Sequence, residues 1–329
     1  MNAHTSLLRA ARWQPLELVF WALAFASPWV LAQHALIINE IAIVALFAVS
    51  LDLVLGYTGI VSLGHAAFLG FGAYSAALFA KHIHPDPLLG LAVGMAAATL
   101  LGALCSLSIM RGSDLTRLMV TLGTALILLE LANKFSDLTG GADGLQGVIM
   151  GPLLGQFEFD LMGQTSAWYS LAVLLVLFVL ARRLVHAPLG VTLKAIRDNR
   201  LRAMAIGIPV TARLAVVYTV AAGIAGAAGA LMAQTTGFAS LDVFAMDRSA
   251  DVMLVLTGNG DVLEPEGGIA AIGSFFAGTV GTIIIVIFAE PLTRMAQKFG
   301  PALRTPAWRS SQKRSRPKAA PDQAAGLLS

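Results

Sequence analysis

The chain has 329 residues, 57% of them hydrophobic and only 12% charged. A soluble globular domain carries roughly 25% charged residues, so this composition excludes a water-soluble fold and indicates a polytopic, all-α membrane protein. The net charge of +3 is small, and the lone cysteine, Cys105, excludes an internal disulfide.

A spanning helix needs about 20 mostly apolar residues. The first apolar run, Leu16 to Ala32, follows Arg9 and Arg12 and has the flavour of a secretory signal. Further apolar runs follow at once, so the expectation is an uncleaved first helix over 16–33. Spans are then expected at 37–55, 60–80, 88–110, 116–134, 166–184, 212–234 and 268–290. That makes about eight crossings. The shorter apolar piece at 249–257 reads as re-entrant or broken.

Small residues recur where helices should touch. Gly90, Gly94, Ala98 and Gly102 follow at four-residue steps, as do Ala222, Gly226 and Ala230. Such stripes let two backbones approach closely in lipid.

Basic residues fix the expected orientation. With the N-terminus in the cytoplasm, only Lys81, Lys134 and Arg248 of the 22 lysines and arginines fall outside. Ser136 to Thr165 is then an external loop, rich in Gly, Asp and Gln. Residues 1–300 read as the membrane domain, and 301–329, with four prolines among basic residues, as a disordered basic cytoplasmic tail. Such a tail attracts anionic lipid or is simply solvated.

Three segments stand out. Gly56-Tyr57-Thr58-Gly59, then Ser62 through Gly64-His65 to Tyr74, is too rich in glycine for a plain helix. A broken helix inside a membrane is tolerated only against protein or a water-filled cavity. Gly56, Gly59, Gly64 and His65 are therefore candidates for a translocation pathway, the alternative being tight packing and a buried histidine. Thr139-Gly140-Gly141-Ala142-Asp143-Gly144-Leu145 is a turn-rich external loop without the ligand spacing of a metal site.

The third segment, 190–208, is polar and basic between two very apolar runs. It must sit in water on the basic, cytoplasmic side, as a docking surface for a soluble partner or as an ordinary charged loop. Arg197, Asp198, Ala205 and Gly207 are its candidate coupling residues. Ala195, Ile196, Ala203, Ile206 and Ile208 supply an apolar face. Gly207 ends a short helix that Pro209 prevents from continuing.

The acids Glu40, Asp52 and Glu130 fall inside expected spans and are functional suspects. No G-x-x-x-x-G-K-[ST], H-E-x-x-H or G-x-S-x-G stretch occurs, so nucleotide hydrolysis by a P-loop and two common hydrolase chemistries are excluded. No cofactor, metal centre or nucleic-acid contact is expected.

The run Gly64-His65-Ala66-Ala67-Phe68 to Tyr74, the loop Thr139-Gly140-Gly141 to Leu145, and Ala195-Ile196-Arg197-Asp198 to Gly207 resemble, in this order, the LivM-type permeases. These are membrane subunits of branched-chain amino-acid ABC transporters. The resemblance spans about residues 40 to 290. It implies an inner-membrane importer subunit, not an enzyme, with 190–208 contacting separate ATPase subunits. It also implies a periplasmic solute-binding protein, a second permease subunit and ATP-driven alternating access. The pattern departs from the family's after Leu256, where Asp261 to Glu266 precede Gly267-Gly268. Relatives of that family also carry urea and other small polar solutes, so the solute stays open. A stand-alone channel or an ion-coupled carrier is the competing reading, and an intramembrane enzyme is disfavoured by the missing catalytic constellations.

Overall fold

The computed structural model describes residues 15–110, 112, 114–160 and 162–257. The long helices are α1 (Pro15–Val30), α2 (Ala35–Thr58), α3 (Ala66–His82), α4 (Pro87–Ile109), α5 (Asp114–Lys134) and α6 (Gln164–His186). Two short helices follow, α7 (Pro188–Asp198) and α8 (Arg200–Ala205), and then α9 (Val210–Thr236) and α10 (Met246–Thr257). The chain is a multi-pass membrane bundle. Five helical stretches are long and apolar enough to cross a bilayer among the described residues: Ala32–Thr58, Pro87–Ile109, Leu115–Lys134, Gln164–His186 and Val210–Thr236.

Each expected span up to residue 234 corresponds to a helix. Two are shorter than expected: α1 has 16 residues and α3 has 17. The helix expected at 60–80 begins only at Ala66, because residues 59–65 leave the helical path. The piece at 249–257 is the end of α10, a single helix of 12 residues. At 1.5 Å per residue it reaches about 18 Å, too short to span. The expected span 268–290, the variant segment 261–268 and the tail 301–329 lie outside the described residues.

The centre of the bundle is α9, flanked by α3 and α4. Its small residues permit contact at backbone range. A Cβ added to Gly72 of α3 would meet the Gly226 carbonyl carbon of α9 at 2.7 Å, and one added to Gly94 of α4 would meet the Gly72 oxygen at 2.7 Å. The stripe Gly90, Gly94, Ala98, Gly102 and Ser106 is buried, while Leu100, Leu104 and Leu107 of the same helix are exposed. Large apolar residues outside and small ones inside is the pattern lipid demands, since burying leucine against leucine gains little over leaving it in acyl chains.

Polar groups pin the bundle at both ends. At one end the Ser170 hydroxyl donates to Asn39 Oδ1 (2.6 Å), and the Asn39 amide donates to Thr235 Oγ1 (3.0 Å). Nearby, Tyr169 donates to Gln234 Oε1 (3.1 Å) and the Gln234 amide to the Pro87 carbonyl (2.8 Å). At the other end Arg182 of α6 pairs with Glu17 of α1, their side chains 8% and 17% exposed. Removing one partner of a buried pair strands the other charge, at a cost of about 3–5 kcal/mol. Glu17→Ala is expected to lower the detergent-solubilised protein's unfolding temperature, whereas Glu17→Ala with Arg182→Met recovers most of the loss.

Residues 136–160, with 162 and 163, connect α5 to α6 at the surface. The last turn of this connection supports α6: Asp160 accepts the backbone N–H of Gln164 (3.2 Å) and of Thr165 (3.0 Å). Partial burial alone raises the Asp160 pKa, but these hydrogen bonds outweigh it and hold the carboxyl below its ordinary value. A depressed acid stabilises the fold above the unfolded-state pKa, and the contribution fades as pH falls through the lower folded value. The side chain is exposed and screened. Asp160→Asn is therefore expected to cost under about 1 kcal/mol, with the difference from wild type beginning to shrink as pH falls below about 4 in a pH series of thermal melts.

Candidate functional site

The polar segment between α6 and α9 folds as two helices at an angle. Pro188 occupies the first turn of α7, where its missing N–H costs nothing. Asn199 breaks the run in an extended conformation, and its side chain caps α8 by accepting the Arg202 N–H at 2.9 Å. The α8 helix then ends in a Schellman motif. Gly207 (φ +83°) donates to the Met204 carbonyl at 3.0 Å, and Ile208 donates to the Ala203 carbonyl at 3.1 Å. Gly207 is the residue that lets the chain reverse into Pro209 and α9.

Leu193, Ile196 and Ala203 are buried against the bundle. Ala195 and Ile208 are half-buried. Of the apolar face expected from sequence, only Ile206 stands fully out, 70% exposed, and it is joined by Leu201 (76%) and Met204 (46%). Asp198, Ala205 and Gly207 are exposed as well, as are Lys194 and Arg202. The available apolar patch is therefore on α8 and its C-terminal turn. The buried face follows from the periodicity of an amphipathic helix, which sends Leu193 and Ile196 inward together.

Arg197 does not point to this patch. Its guanidinium donates to the carbonyl of Gly56 in the last turn of α2. The last four carbonyls of any helix lack an intrahelical partner and carry the negative end of the macrodipole, so a guanidinium there is doubly favoured. Asp52, one turn earlier, lies within electrostatic reach of Arg197. A Cβ at Gly56 would come within 3.2 Å of the Asp52 Cγ, so the glycine leaves room for that carboxylate. Lys194 adds a second contact, its Nζ 5.9 Å from the centroid of the Tyr57 ring. Gly59 closes α2 in the left-handed region (φ +70°), and its missing Cβ faces Arg197 Cγ at 3.6 Å. Two of the candidate pathway residues, Gly56 and Gly59, thus meet α7.

The other two do something different. Gly64 permits α5 to approach, since a Cβ there would sit 3.0 Å from the Leu122 nitrogen and closer still to the Thr121 carbonyl. His65 is 0% exposed, ringed by Phe47, Phe68 and Tyr218, with Ser50 Oγ at 3.2 Å. Residues 59–65 are a packed crossing between α2 and α3, held by the Ser249 hydroxyl, which accepts the Ala66 N–H at 2.8 Å.

At the far end of α2, a cavity of about 630 Å³ opens between α2, α9 and α10. Glu40, Asp242, Asp247, Asp251 and Arg248 line it together with Ile43, Phe47 and Val252. Sequence reading singled out Glu40 alone among these charged groups as a functional suspect. Asp52 belongs to the opposite, α7-facing end of α2, and Glu130 is exposed on α5. Among the described residues, no three acids, histidines or cysteines gather closely enough to hold a metal ion.

The external-loop candidates cluster beside this end. Gly140 (φ +79°), Gly141 (φ +56°) and Gly144 (φ +72°) carry the chain through backbone shapes that other residues rarely adopt. The turn is fixed by a two-way pairing of Leu145 with Ala239 just after α9, at 2.8 and 3.1 Å. Asp143 is exposed at its tip.

The sequence-family model described as branched-chain amino acid transport system / permease component matches residues 34–310. The high-affinity branched-chain amino acid transport system permease protein LivM of Salmonella typhimurium is 28% identical over 297 residues, covering 82% of this chain. LivM of Escherichia coli is 27% identical over the same length. The matched region covers 66% of either relative, just under two thirds of its length. No solved structure gives a significant match.

Proposed function

The chain belongs to the family of branched-chain amino acid transport system permease components, and from that premise we propose that it is the membrane subunit of an ATP-driven importer for branched-chain or related amino acids. ATP hydrolysis resides on a separate partner, because this sequence has no P-loop. The patch of Leu201, Met204 and Ile206 on α8 docks that ATPase on the cytoplasmic side. A second permease subunit completes the pathway, and a periplasmic solute-binding protein delivers solute at the opposite end. The bacterial inner membrane, with the N- and C-termini in the cytoplasm, is the setting that the distribution of basic residues favours.

The observation that carries this reading is the division of labour in 188–208. One face is exposed, apolar and ringed by charge, while the other sends Arg197 into the end of α2. A segment that merely connected α6 to α9 needs neither. Movement of a docked partner is then conveyed to α2 through Arg197, and α2 reaches about 36 Å to the cavity at its other end.

Co-purification tests the docking half. The tagged permease should retain a stoichiometric ATPase, and Ile206→Asp or Leu201→Asp should release it. Such changes place a charge in a desolvated contact, a cost of about 2 kcal/mol or more and thus at least about thirtyfold in affinity. Retention of the ATPase by both variants would exclude α8 as the docking surface.

A further inference from the structure

We propose that the cavity between α2, α9 and α10 is a binding site for the zwitterion of an aliphatic α-amino acid, with Arg248 taking the carboxylate and the acids that line the cavity taking the ammonium. The proposal rests on the transport reading for its solute class and adds a site to it.

Size comes first. The cavity is about 630 Å³, within the range of about 300–1,000 Å³ typical of small-molecule sites. Its walls are of two kinds. Ile43, Phe47, Leu69 and Val252 offer an apolar surface to a branched side chain. The charged groups come from α10, the turn before it and the start of α2.

Arg248 is the distinctive member. Its guanidinium has five donors. One nitrogen, Nη2, is held by Asp242 Oδ2 at 3.0 Å, and Nη1 has only the thioether of Met232 at 3.8 Å. The buried Nε has no acceptor at all. Thioether sulfur is a weak acceptor, readily displaced by a carboxylate that offers two oxygens to the guanidinium fork. Donors left in this state in a cavity wall are a standing cost that an incoming carboxylate removes.

The counterpart is the excess of acid. Four carboxylates, Glu40, Asp242, Asp247 and Asp251, line the cavity with one guanidinium, which pairs with Asp242 alone among them. They do not converge as a metal site. Their field attracts a positive group and repels a bare anion. A solute with an ammonium, a carboxylate and an aliphatic tail satisfies all three surfaces. A simple amine leaves Arg248 unserved, and a simple carboxylic acid meets repulsion.

Thiol protection tests this on the full chain. In a Cys105→Ala background, Thr236→Cys places a thiol in the cavity wall. The expected result is labelling of that thiol by a membrane-impermeant reagent, slowed about tenfold by leucine at ten times its dissociation constant. At the same concentration 3-methylbutylamine and 4-methylpentanoate should give little protection. Protection is read as the ratio of labelling rates with and without leucine in each variant, because Arg248 lies in the field of the thiol. Adding Arg248→Gln should raise the leucine concentration needed for half-protection by about tenfold or more, with Arg248→Lys intermediate. Equal protection by the amine, full protection retained in Arg248→Gln, or no protection by leucine would each overturn the proposal. Uptake by the assembled transporter is read separately. Protection without uptake would refute the importer reading and leave the site standing, whereas uptake without protection would do the reverse.

Discussion

Arg197→Glu is expected to abolish solute uptake while the protein still inserts and still binds its ATPase. The guanidinium of Arg197 faces away from the exposed patch and closes on the Gly56 carbonyl. A hydrogen bond to a charged group contributes about 1.5–3 kcal/mol, a factor of about 10 to 160 in the equilibrium it biases. Glutamate removes that contact and sets a second negative charge beside Asp52 and the negative end of the α2 dipole. Transport per ATP hydrolysed should therefore fall at least about tenfold. Arg197→Lys keeps the charge without the planar fork and should fall between. The pair of phenotypes separates two roles within one short segment. Variants at Leu201 and Ile206 lose the partner, while the variant at Arg197 keeps the partner and loses its effect. Loss of ATPase binding in Arg197→Glu would place Arg197 in the docking surface instead.

Gly72→Ala should be among the most destabilising single-methyl changes in the chain, and Gly123→Ala should be harmless or favourable. At Gly72 the added carbon meets backbone atoms of Gly226, which cannot rotate out of the way as a side chain does. Relief requires α3 and α9 to move apart, and α4 is wedged against both. Overpacking of this kind costs about 1–3 kcal/mol where side chains yield, and more where only backbone can. At Gly123, by contrast, nothing lies within 4 Å of the added carbon. There alanine gains up to about 1 kcal/mol of helix propensity. Unfolding of both variants in mixed micelles measures the contrast directly. Equal stability would mean that α3 and α9 are not in backbone contact.

The spans were legible because a bilayer imposes length and polarity on every crossing. Runs such as Ala35–Thr58 and Val210–Thr236 have no other reading. The small-residue stripe on α4 was legible for the same reason, since lipid leaves glycine and alanine as the natural contact surface. Local chemistry also announced the ends of short elements, as with Gly207 and Pro209. The face of the 190–208 segment was harder to read. Ile196 and Ala203 look as suited to docking as Leu201 does, until the break at Asn199 sets the angle between α7 and α8. Glycine density around Gly64 and His65 did signal a departure from helix, and composition left packing and permeation both open. The close approach of Thr121 and the aromatic ring around His65 favour packing. The cavity had no local signature. Glu40 is far in sequence from Thr235 and Arg248, and the three line one cavity only because α2, α9 and α10 share one end of the bundle.

The most direct test of the account is the side of the membrane on which α8 lies and what it touches there. Leu201→Cys in a Cys105→Ala background supplies a single thiol at the centre of the exposed patch. Labelled with an impermeant maleimide, it should react in inverted membrane vesicles and not in intact cells, and the ATPase should block the reaction. Reaction in intact cells, from the external face, would contradict the account.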